Sequence, residues 1–118
     1  MTAHDRPRLV PRLRVMQGSN ILLGPGKADL LEAIERCGTI RDAAAALDMS
    51  YMRAWTLLRA MNAGFRKPLV VVHRGGSVRG GAELTPTGKR TLELYRELEQ
   101  KALEATKPVW GELRKLLR

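Results

Sequence analysis

The stretch from Thr39 to Trp55 constrains the chain more than any other. Thr39-Ile40-Arg41-Asp42 leads into four alanines, Ala43 to Ala46, followed by Leu47-Asp48-Met49 and then Ser50 ahead of Tyr51-Met52-Arg53-Ala54-Trp55. The alanines leave almost no side-chain bulk, so another helix can cross this one at close range. Thr39 and Ser50 each stand where a helix would start, and their hydroxyl oxygens can accept from the unpaired N–H groups of the first turn. Asp42 takes the third helical position, where a carboxylate meets the positive end of the helix dipole. Two short capped helices around a tight Asp48-Met49 turn predict a helix-turn-helix. In nucleic-acid recognition, the start of the second helix of this device enters the major groove.

The surroundings fit that reading. A first helix is expected from near Lys27, with Leu30, Leu31, Ile34 and Cys37 on one apolar face and Gly38 as its stop. Before it, Leu13, Val15 and Ile21-Leu22-Leu23 suggest short strands around a Gly18-Ser19-Asn20 turn, closed by Gly24-Pro25-Gly26. The third helix is expected from Tyr51 to about Phe65, with Ala54, Leu57, Leu58, Met61 and Phe65 inward. Leu69 to Val72 reads as a strand and Ala82 to Leu84 as its antiparallel return. The loop between is glycine-rich; from Arg66 to Gly81 the chain has four positive charges and no acid. Such a hairpin is a wing, able to approach a phosphate backbone closely.

Thr85-Pro86 opens the last helix as a cap followed by proline at the first helical position. Leu92, Tyr95, Leu98, Ala102, Ala105, Val109, Leu113 and Leu116 recur at three- and four-residue steps, more than a small domain can cover by itself, and predict a dimer seam. Pro108 inside that run predicts a kink, or a split into two helices near Lys107. The expected fold is mainly α with a small β wing: a flexible basic arm over 1–10, a winged helix-turn-helix over 11–88, and a C-terminal helical dimerisation segment over 89–118.

Charge decides the class of partner. Lys and Arg number 21 against 12 Asp and Glu, a net +9, which attracts phosphate polymers. The residues expected at double-stranded DNA are Thr39, Ser50, Tyr51, Met52, Arg53, Thr56 and Arg59, with Arg74 and Arg79 on the wing and the basic 6–14 segment on flanking backbone. Trp55 reads as a packing wedge. Cys37, the sole cysteine, excludes an intrachain disulfide, suits a reducing cytoplasm and reads as a buried small hydrophobe. No metal site is expected at His4 or His73, since no further ligand stands at coordination spacing. Gly24-Pro25-Gly26 lacks the ending of a phosphate-binding loop, and no nucleophile–base set stands out, so neither a cofactor nor an enzyme is expected. No apolar run approaches the roughly 20 residues that span a bilayer, and the Arg- and Pro-rich N-terminus lacks the apolar core of a signal peptide. The competing reading is a winged-helix adaptor that binds proteins and not specific DNA.

Leu23-Gly24-Pro25-Gly26-Lys27 through Ile34, Gly38-Thr39-Ile40 with Ala43-Ala44, Met49-Ser50-Tyr51-Met52-Arg53-Ala54-Trp55, Met61-Asn62 and Gly80-Gly81-Ala82-Glu83-Leu84-Thr85-Pro86-Thr87-Gly88 closely resemble the N-terminal DNA-binding domain of molybdate-responsive ModE regulators. The helix-turn-helix also resembles the head of LysR-type regulators. The resemblance covers about residues 12 to 100. It implies a transcriptional regulator that dimerises through its terminal helices on an inverted-repeat operator. Family members carry C-terminal molybdate-binding modules beyond this domain. The 118 residues contain no counterpart, so molybdate sensing does not carry over, and the resemblance leaves open both a link to molybdate or metal homeostasis and the identity of any small-molecule effector.

Overall fold

Two small hairpins and four helices make up residues 5–73 and 80–118, which the computed structural model of the protein describes. β1 (Val15–Gln17) pairs antiparallel with β2 (Asn20–Leu23), Gln17 opposite Asn20, across a turn in which Gly18 has φ +59°. α1 (Pro25–Cys37) follows directly, two residues earlier than the sequence suggests. Gly24, extended at φ −167°, is its N-cap, and Pro25 stands at the first helical position. The missing N–H of proline costs nothing there and its fixed φ favours the helix, so Gly24-Pro25 starts a helix besides ending a strand.

Gly38 ends α1 in the left-handed conformation, φ +79°, with its N–H on the Ile34 carbonyl at 2.9 Å. α2 (Ile40–Ala46) buries Ile40, Ala43 and Ala44, and crosses into α3 (Tyr51–Gly64) through a turn of definite geometry. Asp48 donates its N–H to Ala45 at 3.1 Å and Met49 donates to Ala44 at 3.0 Å, with Asp48 left-handed at φ +54°. That is a Schellman closure holding an aspartate where glycine is usual. Asp48→Gly is therefore expected to stabilise the protein by up to about 1 kcal/mol, since left-handed backbone costs an L-residue roughly 1–2 kcal/mol. A urea midpoint that stays put or falls would contradict this.

β3 (Val70–Val72) and β4 (Ala82–Leu84) pair antiparallel, Val70 opposite Leu84 and Val72 opposite Ala82, and form the base of the wing. The wing is tied at both ends. The Asn62 side chain donates to the Val70 carbonyl at 3.1 Å and accepts from the Leu69 N–H at 2.8 Å. Ala82 donates to the Gly38 carbonyl at 2.8 Å.

α4 (Pro86–Arg114) runs 29 residues without a break, about 43 Å at 1.5 Å per residue. The expected division near Lys107 does not occur: the helix passes through Pro108. Residues 104 and 108 are solvent-exposed, so water can serve the carbonyl that Pro108 leaves unpaired. The first half of α4 packs at home. Leu92 and Tyr95 are buried in the protomer's own core, and the Tyr95 hydroxyl donates to the Leu13 carbonyl at 2.8 Å. Burial, then the nearby Glu99 carboxylate, pushes that phenol above its ordinary pKa. Arg96 beside it reaches Asp29 at 3.0 Å, Glu32 at 3.3 Å and Glu99 at 2.9 Å. Burial opposes the charge on Arg96, but the hydrogen bonds to Asp29 and Glu99 outweigh it and raise its pKa. This cluster fixes α4 against α1.

The core is formed by Leu30, Leu31 and Ile34 of α1, Leu58 and Met61 of α3, Leu69, and Tyr95. Cys37 is half-buried and not the fully enclosed hydrophobe expected from its place in the pattern.

Candidate nucleic-acid interface

α3 buries Ala54, Leu58 and Met61, while Leu57 and Phe65 are only partly covered. Its opposite side is bare. Met52, Thr56, Arg59 and Ala63 stand four, three and four residues apart, forming one outward stripe, and all are exposed. Met52 is 66% accessible and Tyr51 44%, so the start of α3 is uncovered, as a groove-reading helix must be. The Ser50 hydroxyl accepts from the Arg53 N–H at 3.1 Å and Thr39 accepts from Asp42 N–H at 3.1 Å, so both act as caps. Thr56 spends its hydroxyl proton on the Met52 carbonyl at 3.0 Å. Its oxygen still has a lone pair, and its methyl can meet a thymine.

Tyr51 is held from two sides. The Arg41 guanidinium lies 5.3 Å from its ring centre and the Trp55 ring meets it edge-on at 6.2 Å. Cation–π and T-shaped contacts of this kind are each worth about 0.5–1.5 kcal/mol. Trp55 is half-buried against the core, in keeping with a wedge that positions Tyr51. Thr39, Arg41, Tyr51 and Trp55, with Val72 and Gly80 of the wing base, line a shallow hollow of about 370 Å³.

Arg41 was not among the residues expected from the sequence, nor was Asn62, which sets the position of the wing. A long cation ten residues before Tyr51 was visible in the chain; its stacking depends on the Asp48 turn. Arg74 and Arg79, expected on the wing, lie outside the described residues. His73 and Glu83 meet at 2.9 Å across the wing base, both exposed.

The residues expected at a dimer seam separate into two groups. Leu92 and Tyr95 belong to the protomer core, which corrects their assignment to a seam. Leu98, Val109, Leu113 and Leu116 are 49%, 73%, 51% and 81% exposed, and Ala102 is half-exposed. Among the described residues, no helix is long and apolar enough to cross a membrane.

No protein-family model matches the chain. It is 39% identical over 92 residues to the molybdenum transport protein ModE of Azotobacter vinelandii, across 78% of this chain and 34% of that protein. It is 39% identical over 80 residues to the transcriptional regulator ModE of Haemophilus influenzae, across 68% of this chain and 31% of that one. These alignments thus take in about a third of either relative. Among solved structures, the CbnR DBD–DNA complex superposes with a TM-score of 0.58 at 22% identity, over 75% of this chain and 95% of that one. At that identity the match shows a shared winged-helix fold.

Proposed function

We propose that the chain, 39% identical to ModE proteins over about a third of their length, is a transcriptional regulator, not an enzyme, which binds double-stranded DNA sequence-specifically in the cytoplasm. α3 lies in the major groove, with Tyr51, Met52, Arg53 and Thr56 nearest the bases. Thr39, Ser50 and Arg59 meet phosphates, joined by Arg74 and Arg79. The observation that carries this reading is the bare face of α3, with its first turn uncovered and cationic in a protein of net +9. An adaptor has no need of that charge. The relatives' names extend the proposal to genes of molybdenum handling.

The regulator acts as a homodimer on an inverted repeat, through the outer half of α4. Two-fold symmetry then sets the recognition helices about 34 Å apart, or a multiple, to meet successive major grooves. Selection of bound sites from a random DNA pool tests both parts at once: an inverted repeat with half-sites at that spacing is expected. Arg53→Ala should relax preference at one position per half-site by about 1–3 kcal/mol. A pool that yields no shared sequence, or a variant with an unchanged motif and affinity, would overturn the assignment.

A further inference from the structure

We infer that the β1–β2 hairpin is a second wing, gripping the phosphodiester backbone of the same duplex on the side of α3 away from β3 and β4. The inference rests on the DNA-binding reading above.

α3 has two flanks beside its outward stripe. One carries Tyr51 and Trp55 and faces the hollow shared with Val72 and Gly80. The other carries Arg53, Leu57, Ala60 and Gly64 and faces the hairpin across an open-sided groove of about 760 Å³. Arg12, Arg14, Lys27 and Arg53 line that groove and no acidic side chain does. Four cations without a counter-charge disfavour one another at close range, and an anion relieves that repulsion. Arg12, Arg14 and Arg53 make no ion pair among the described residues.

The groove is preformed. Arg12 and Arg14 bracket Leu13, whose carbonyl is fastened by the Tyr95 hydroxyl at 2.8 Å, so these two arginines belong to a fixed wall and not to a loose arm. Leu22 seats the hairpin on the last turn of α3 so closely that a Cβ at Gly64 would lie 3.2 Å from it. Lys27 donates to the Ile21 carbonyl, joining the other end of the hairpin to α1. Burial lowers its pKa, as expected of an ammonium drawn partly out of water. Ala60, Ala63 and Gly64 along the groove carry little bulk, which leaves room for a sugar–phosphate chain.

Arg53 decides which anion the groove receives. It belongs both to the exposed first turn of α3 and to the groove wall, so a polymer lying across α3 continues into the groove without crossing any acidic side chain on its lining. A free phosphate shares the chemistry but gains nothing from that continuity.

The test uses duplexes carrying the selected inverted repeat, with and without about ten base pairs, one helical turn, of flank on each side. The wild-type protein should bind the flanked duplex more tightly, with a slope of log affinity against log salt steeper by about 3.6. That corresponds to two further phosphates per subunit at about 0.9 each. Arg12→Gln with Arg14→Gln should abolish the increment and leave the short duplex bound as before, while Arg12→Lys with Arg14→Lys restores the slope. Both positions are exposed, and a circular dichroism spectrum and melting curve unchanged from wild type would confirm a folded variant. Flank-independent affinity in the wild type, or equal losses by the Gln variant on both duplexes, would overturn the second wing alone. Calorimetric binding of inorganic phosphate that the Gln variant loses, with no flank effect, would reassign the groove to a free anion. A wild-type protein that prefers no duplex overturns this inference and the reading beneath it together.

Discussion

Gly88→Ala should unfold this protein or leave it insoluble, a destabilisation above about 4 kcal/mol and beyond the usual range for one substitution. A Cβ at Gly88 would sit 2.0 Å from the Leu69 carbonyl oxygen and 2.9 Å from its carbon. Those are backbone atoms, so no rotamer change relieves the overlap. The first turn of α4 would have to lift away from β3. That movement breaks the Thr85 cap, which accepts from the Gly88 N–H at 2.9 Å and donates to the Pro68 carbonyl at 2.7 Å. It also breaks the bond from the Thr85 N–H to Leu69 at 2.9 Å. The contact therefore holds the long helix, the wing base and α3 in one arrangement. Gly111→Ala, in the same helix, is the control: nothing lies within 4 Å of its Cβ position. Helix propensity then acts alone and should stabilise by about 0.5–1 kcal/mol. A raised urea midpoint at unchanged m-value for Gly111→Ala, against a Gly88→Ala variant with no cooperative urea transition, is expected. A folded Gly88→Ala variant of near wild-type midpoint would refute the close approach.

Local devices were legible in the sequence, and distant ones were not. Thr39, Ser50 and Thr85 each bond an N–H three residues on, a relation that spacing alone encodes. The uncovered face of α3 was legible for the same reason, since 3.6-residue periodicity assigns Ala54, Leu58 and Met61 inward. Arg96 meets Asp29 and Glu32 across 67 and 64 residues, and Tyr95 meets Leu13 across 82. No local pattern announces such pairs. The α4 stripe shows the limit clearly. Its period runs unbroken from Leu92 to Leu116, yet Leu92 and Tyr95 pack at home and the outer residues do not, because periodicity gives a face without saying what covers it. Pro108 misled in the opposite direction: its local penalty was real, but an exposed helix tolerates one unpaired carbonyl. Gly24-Pro25 carried two meanings, strand end and helix start, and the first obscured the second.

Charge placed on the outer half of α4 should have the largest effect on DNA binding. Val109 and Leu113 are 73% and 51% exposed and lie one turn apart, well beyond the Arg96 cluster that anchors the helix. Large apolar side chains left in water along one stripe favour a second copy of the same stripe, and a two-fold axis pairs each with its mate. Val109→Glu combined with Leu113→Glu places four carboxylates in that seam, where desolvation and mutual repulsion both oppose association. The variant should sediment as a monomer with an unchanged helical spectrum, because neither side chain contributes to the protomer core. Two linked half-sites gain about 10²–10⁴ in affinity from effective concentration. Affinity for the inverted repeat should therefore fall by that factor, to the level of a single half-site, and the salt slope should halve. Preference for each base should persist, since α3 is untouched. A variant that stays dimeric, or a monomer that binds the inverted repeat as tightly as wild type, would remove α4 from the assembly. Selective loss of avidity with intact base preference is the outcome that separates a dimer seam from a structural role for these residues.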